Sequence, residues 1–196
     1  MLVALALGAT LSTARAATAD CTAAEAFVRA AADRTLAVLN AVGAGEAERL
    51  DGMSRLMFEV ADIPLIARLV LGRHWRAASP EQRAAYLEAF RSYALDSLAA
   101  RFSRLGVGVK LALAGRCVVD GEDALVPSEV VMPTRPEPAR IEWRVRRRND
   151  GYRLIDVAIE GVSLVVSNRS EFDAVIGREG LDALIAQIRG RKRQTG

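Results

Sequence analysis

The apolar positions of this chain change period, and the change divides it into three parts. From Thr22 to Ala41 they recur at helical spacing (Phe27, Ala31, Leu36, Leu39), which predicts a helix ending by Gly43. Leu50, Met53, Met57 and Val60 repeat the pattern between Glu46 and Val60. Asp62-Ile63-Pro64 then opens a third helix. An aspartate at the N-cap accepts from free N–H groups of the first turn, and proline is tolerated there because it has no N–H to lose. Leu65, Ile66, Leu69 and Val70 follow at helical spacing, and Gly72 ends the run. Ser79-Pro80-Glu81-Gln82 is a capping box with proline in the first helical position. It opens a long helix to about Leu105, with Leu87, Phe90, Ala94, Leu98 and Phe102 along one stripe and Gly106 and Gly108 as the stop.

Beyond this point the period falls to two. Val107 to Val119, Ala124 to Met132, Ala139 to Arg148 and Tyr152 to Ile159 read as four strands. Asp120-Gly121 and Asp150-Gly151 are tight-turn signals, and residues 133–138 form a longer turn. Such short connections cannot carry parallel crossovers, so an antiparallel meander is expected. On the third strand Ile141, Trp143 and Val145 face one way, while Arg140, Glu142, Arg144, Arg146 and Arg148 face largely the other. One face is therefore buried and one wet. On the fourth, Ile155, Val157 and Ile159 share a face opposite Tyr152 and Leu154. The helical period then returns. Asn168 with Glu171 is a second capping-box pattern for a short helix through Phe172 and Ile176. A break at Gly177 to Gly180 precedes a last amphipathic helix (Leu181, Leu184, Ile185, Ile188) and the basic tail Arg189 to Gly196. The fold class is α+β, with about six helices and an antiparallel sheet of about four strands.

Composition adds limits. A length of 196 residues suits one domain with a sizeable core. Apolar residues make up 51%, the rich end for a globular protein, but a dense core and a hollow one look alike by composition. The formal charge of +3 is small, and no runs of Phe or Tyr that could stack bases lie among the basic residues, so nucleic acid is not an expected partner. Leu2 to Leu11 followed by Ala14-Arg15-Ala16 has the form of a secretory signal cleaved before Ala17. It lacks a basic residue ahead of the apolar stretch, as a truncated start would. Residues 1–16 are thus the expected signal peptide and 17–196 a single domain, with a charge of +3 − 1 = +2 once Arg15 is removed. No later stretch approaches the ~20 apolar residues of a membrane span. Asp20 immediately before Cys21 argues against lipidation there. Cys21 and Cys117 are free to pair in an oxidising compartment, but their spacing leaves pairing open and excludes a CxxC motif.

Candidate chemistry is sparse. The one histidine, His74, reads as an exposed or capping residue, since no Gly-x-Ser-x-Gly elbow accompanies it and Gly161-Val162-Ser163-Leu164 lacks the second glycine. One histidine and two distant cysteines do not make a zinc site. Asp120, Glu122 and Asp123 read as a solvated hairpin tip. No catalytic residue, metal or cofactor is expected. Arg144, Arg146 and Arg148 are candidate docking residues for an acidic partner or a lipid phosphate. The plainer alternative is a solvated sheet face that discourages edge aggregation.

Two blocks add a resemblance. The first runs Asp62-Ile63-Pro64-Leu65-Ile66-Ala67-Arg68-Leu69-Val70-Leu71-Gly72-Arg73-His74-Trp75, then Ser79-Pro80-Glu81-Gln82 with Phe90 and Tyr93. The second runs Tyr152-Arg153-Leu154-Ile155-Asp156-Val157, then Glu160-Gly161-Val162-Ser163-Leu164, Arg169 and Phe172. Together they resemble the MlaC, or toluene-tolerance, family of periplasmic phospholipid-binding proteins. His74 stands where the family has tyrosine, Phe102 where it often has tyrosine, and the two cysteines lie outside its pattern. The resemblance implies a strongly curved sheet wrapped by helices around an apolar lipid cavity. It implies a non-enzymatic periplasmic carrier moving phospholipid between an outer-membrane lipoprotein complex and an inner-membrane ABC transporter. The candidate lining residues are Ile66, Val70, Phe90, Leu98, Phe102, Val130, Trp143, Val145 and Val157, each of which ordinary core packing would equally explain. A hopanoid-associated carrier of the same fold, or a docking module that takes no lipid, are the alternatives.

Overall fold

A computed structural model describes residues 19–41, 43–102, 108–133 and 135–190. The expected signal peptide and the end of the basic tail lie outside them, as does the predicted helix stop at Gly106. Five helices come first: α1 (Cys21–Leu39), α2 (Glu46–Val60), α3 (Ile63–Leu71), α4 (His74–Ala77) and α5 (Pro80–Phe102). Six strands follow: β1 (Lys110–Leu113), β2 (Val118–Asp120), β3 (Asp123–Val131), β4 (Ala139–Arg148), β5 (Gly151–Ile159) and β6 (Val162–Ser163). Helices α6 (Leu164–Glu179) and α7 (Leu181–Gly190) close the chain.

The helix starts are chemical. Asp62 Oδ1 accepts from the Leu65 N–H at 3.0 Å, with Pro64 in the first turn. Ser79 and Gln82 cap reciprocally: the Gln82 N–H donates to Ser79 Oγ at 3.2 Å and the Ser79 N–H to Gln82 Oε1 at 3.1 Å. Gly72 closes α3 at φ +57°, a conformation that other residues rarely adopt.

Three expectations are corrected. Helix α6 starts at Leu164 and not at Asn168, because Ser163 Oγ accepts from the Val166 N–H at 3.0 Å. Asn168 lies a turn inside, where its amide donates to Leu164 O at 2.7 Å. Gly177 stays helical, and the break comes only at Gly180. The predicted first strand is two, β1 and β2. Pro127 of β3 accepts from the Ala114 N–H at 3.0 Å but has no N–H to return, and the chain kinks beside it at Gly115, φ +90°. With that split, the two-residue β6 and the four-residue α4, the described residues hold six strands and seven helices.

All the ladders are antiparallel, in the order β1-β3-β4-β5-β6, with β2 also on β3. Between β4 and β5 the register shifts. Arg144 faces Asp156 and Val145 faces Leu154, so Ile155 is the extra residue of a bulge. The bulge breaks the strict alternation expected of β5.

Two cores form. One lies among α3, α5, α6 and α7, around Val70, Tyr86, Phe90, Phe172 and Leu184. The other lies between α1 and the sheet, around Val28, Val126, Val145 and Tyr152. Leu154 packs against both. The Cys21–Cys117 disulfide ties the first turn of α1 to the residue before β2. Among the described residues no helix is long and apolar enough to cross a membrane.

Candidate functional site

A cavity of about 190 Å³ lies where α2, α3, α5, α6 and β5 meet. Each wall follows from a local pattern. Ile66 and Val70 are one turn apart on α3, and Phe90, Ala94 and Leu98 are successive turns of α5. The small Ala94 keeps its stretch of wall set back. From β5 the bulge lets Leu154, Asp156 and Val157 all reach the cavity, and Leu164 and Val165 close it from the start of α6.

Tyr93, Asn168 and Asp156, polar residues of this surface, are tied to the chain. Tyr93 OH donates to Asn168 Oδ1 at 2.5 Å. Asp156 Oδ1 accepts from the N–H groups of Val157 and Val165, at 2.8 and 3.0 Å, and Oδ2 accepts from the Ser163 hydroxyl. The carboxylate thus sits on the N-terminus of α6, where the helix dipole favours it. Apart from Ser97, the rest of the lining is apolar. Two aromatic rings line the cavity, Phe90 and Tyr93, and behind them Tyr86 and Phe172 complete a cluster with ring centroids 5.4 to 6.4 Å apart. Tyr86 is fully buried and donates to Ala67 O at 3.0 Å. Burial, with Tyr93 nearby, pushes its phenol above the ordinary range.

Five of the nine candidate residues come together here: Ile66, Val70, Phe90, Leu98 and Val157. Val145 and Trp143 instead pack in or against the second core, where the Trp143 indole N–H donates to Ser128 Oγ at 2.8 Å. Val130 lies near the end of β3, opposite Ala139, and does not line the cavity. The side chain of Phe102 lies outside the described residues. Sequence reasoning passed over Met57, Leu154, Leu164 and Asn168. Leu154 and Leu164 belong to the second motif block, so for them the motif was the usable signal.

Arg144, Arg146 and Arg148 each meet a carboxylate of this chain. Asp123 accepts from Arg144 Nε at 2.8 Å and from Arg146 at 2.5 and 2.9 Å, while Arg148 lies 2.6 Å from Asp62. Asp123 is therefore no solvated turn residue, since only 4% of its side chain is exposed. Burial alone would raise the Asp123 carboxyl, but the hydrogen bonds and charges of Arg146 and Arg144 outweigh it and hold the group below the usual range. Asp62 shows the same balance: burial opposes, while Arg148, the Leu65 N–H and Arg68 win. His74, expected to be exposed or capping, is 22% exposed and lies 2.7 Å from Asp173, linking α4 to α6.

The MlaC protein family model matches residues 29–190. A solved structure of the phospholipid-binding protein from Ralstonia solanacearum, in complex with a phospholipid, superposes with a TM-score of 0.75. The two are 25% identical, over 87% of this chain and 97% of that one. The mixed α/β fold, the two motif blocks in order and a family match over most of the length lead to one conclusion: the chain belongs to the MlaC family.

Proposed function

We propose that this chain is a periplasmic carrier that holds the acyl chains of a phospholipid in the cavity beside β5 and leaves the headgroup in water. The observation that carries the reading is the lining: a mostly apolar hollow in which Tyr93, Asn168 and Asp156 are hydrogen-bonded to the protein itself. Each CH₂ transferred from water into such a space contributes ~0.8 kcal/mol, so acyl chains can be held without any bond to the headgroup. The Ralstonia solanacearum relative, in complex with a phospholipid, supports the ligand class.

The cavity is smaller than the ~300–1,000 Å³ of pockets that take drug-sized ligands. Loading a two-chain lipid therefore widens it, and the helices must part from the sheet. Such a motion fits a shuttle that collects lipid at one membrane complex and delivers it at another. In this reading the partners are an outer-membrane lipoprotein complex and an inner-membrane ABC transporter, and residues 1–16 direct export.

Organic extraction of gently purified protein, followed by mass spectrometry, tests the proposal. One phospholipid per chain is expected. A chain that is empty in every preparation and takes none from phospholipid vesicles overturns it. Recovery of a hopanoid in place of phospholipid moves the ligand to the other lipid class within the same fold.

A further inference from the structure

The outer side of the wall formed by α3 and α6 carries a second, polar hollow. Residues Leu71 to His74, with Arg169, Ser170 and Asp173, enclose about 310 Å³. Val70 and Asn168 line the apolar cavity, whereas their chain neighbours Leu71 and Arg169 line this one. The two hollows therefore share their helices and not their contents.

The polar hollow has one carboxylate and more than one cation. Asp173 Oδ1 lies 2.8 Å from Arg73 Nη2 and 2.7 Å from His74 Nε2, which fixes both along one side. Arg169 is held differently. Its Nε donates to Leu69 O at 2.8 Å, and its two terminal nitrogens have no protein partner among the described residues. Its stem lies close over Gly72, where a Cβ would stand 3.3 Å from Arg169 Cδ. A guanidinium anchored through Nε with both terminal nitrogens open is set to receive one carboxylate in bidentate fashion. Arg68 and Arg76, both exposed, extend the positive surface along α3 and α4.

We propose that this hollow is a docking pocket for a carboxylate side chain of an acidic protein partner. The surrounding charge selects an acidic surface, and the single open fork of Arg169 matches one Asp or Glu. The fully buried Leu71 gives the hollow no apolar rim for entering a bilayer. A bound carboxylate would draw on the guanidinium that spans from α6 to Leu69, next to the cavity residue Val70. Docking and the lipid cavity thus share one wall. That coupling rests on the carrier reading, whereas the affinity for carboxylates does not.

Fluorescein-labelled hexaglutamate, followed by anisotropy at low salt with the full chain, tests the pocket. Arg169→Gln removes the fork. Ser170→Glu leaves the bond from Arg169 to Leu69 in place and sets a carboxylate into the pocket from an exposed position. Both should weaken binding by an order of magnitude, while Arg116→Gln, at an exposed arginine between β1 and β2, should leave it near wild type. The proposal fails if the wild-type chain ignores the peptide or if all three variants weaken it alike. It also fails if phosphatidylglycerol vesicles capture the chain through Arg169 while the peptide does not bind. Lipid extracted from the same samples tests the carrier reading separately.

Discussion

Asp123 looks, from its neighbours Gly121 and Glu122, like a residue that should face water. Its burial follows from what the strand beside it brings: Arg146 lies directly opposite in the β3–β4 register, and Arg144 sits two residues along the same face. Charge pairing there stabilises the buried carboxylate, so Asp123→Asn should cost about 2 kcal/mol. That is less than the ~3–5 kcal/mol of breaking a fully buried pair, because the two arginines can turn to water. The pH dependence has a definite sign. Asp123 and Asp62 both have carboxyls held below their ordinary values in the folded chain. Their contribution is complete above the ordinary carboxylate pKa of ~4 and is lost as pH falls through the lower folded values. Urea midpoints measured from neutral pH into acid should therefore fall less steeply for Asp123→Asn than for the wild type. Parallel curves would show that Arg144 and Arg146 do not act through this carboxylate.

Helix α2 is the element most exposed to a change in cavity size, because its end is gripped from two sides. Glu59 meets Arg34 of α1 through contacts of 2.6 and 2.5 Å, and Arg91 of α5 lies 4.2 Å from the centroid of the Phe58 ring. Met57 and Phe90, each next to a member of the second pair, line the cavity. Under the carrier reading, Arg91 and Phe58 close the seam between α2 and α5. Arg91→Ala should speed transfer of a fluorescent phospholipid to acceptor vesicles several-fold at a stability cost of only about 1 kcal/mol. Arg34→Ala, on the far side of α2, should leave the rate near wild type, and equal effects would remove α2 from the opening motion. The disulfide acts on a different element. It closes a separation of 96 residues, so Cys21→Ser with Cys117→Ser should cost about 2–4 kcal/mol, read from denaturant unfolding, while lipid loading persists. The sequence showed elements wherever the signal is local: Asp62 and Ser79 announce their helices through side chains within one turn. It failed where the deciding group is remote. Pro127 breaks the first strand from across the ladder, and Ser163 outcompetes Asn168 as a cap because β5 and β6 deliver it to the start of α6. The cavity shows the same limit. Alternation on β4 correctly marks Val145 as buried, yet only the three-dimensional arrangement places it against α1 and not against α5.

At the scale of the whole molecule the two cores do different work, and a pair of substitutions separates them. The core between α1 and the sheet is stapled by the disulfide and contains Val145 with no exposed surface. A charge there has no partner, so Val145→Asp should cost more than about 3 kcal/mol and lose lipid only because the fold is lost. The helical core is hollow at its edge, where Ala94 faces the cavity of about 190 Å³. Ala94→Phe puts a ring into space that is already open, so it escapes most of the ~1–3 kcal/mol that overpacking a full core costs. It should keep or slightly raise the melting temperature while sharply lowering the phospholipid extracted per chain. Stability and loading would then move in opposite directions, which no account based on general damage to the fold allows. If Ala94→Phe retained a full complement of lipid, the acyl chains would have to lie elsewhere, and the wall between α5 and β5 would be core and nothing more.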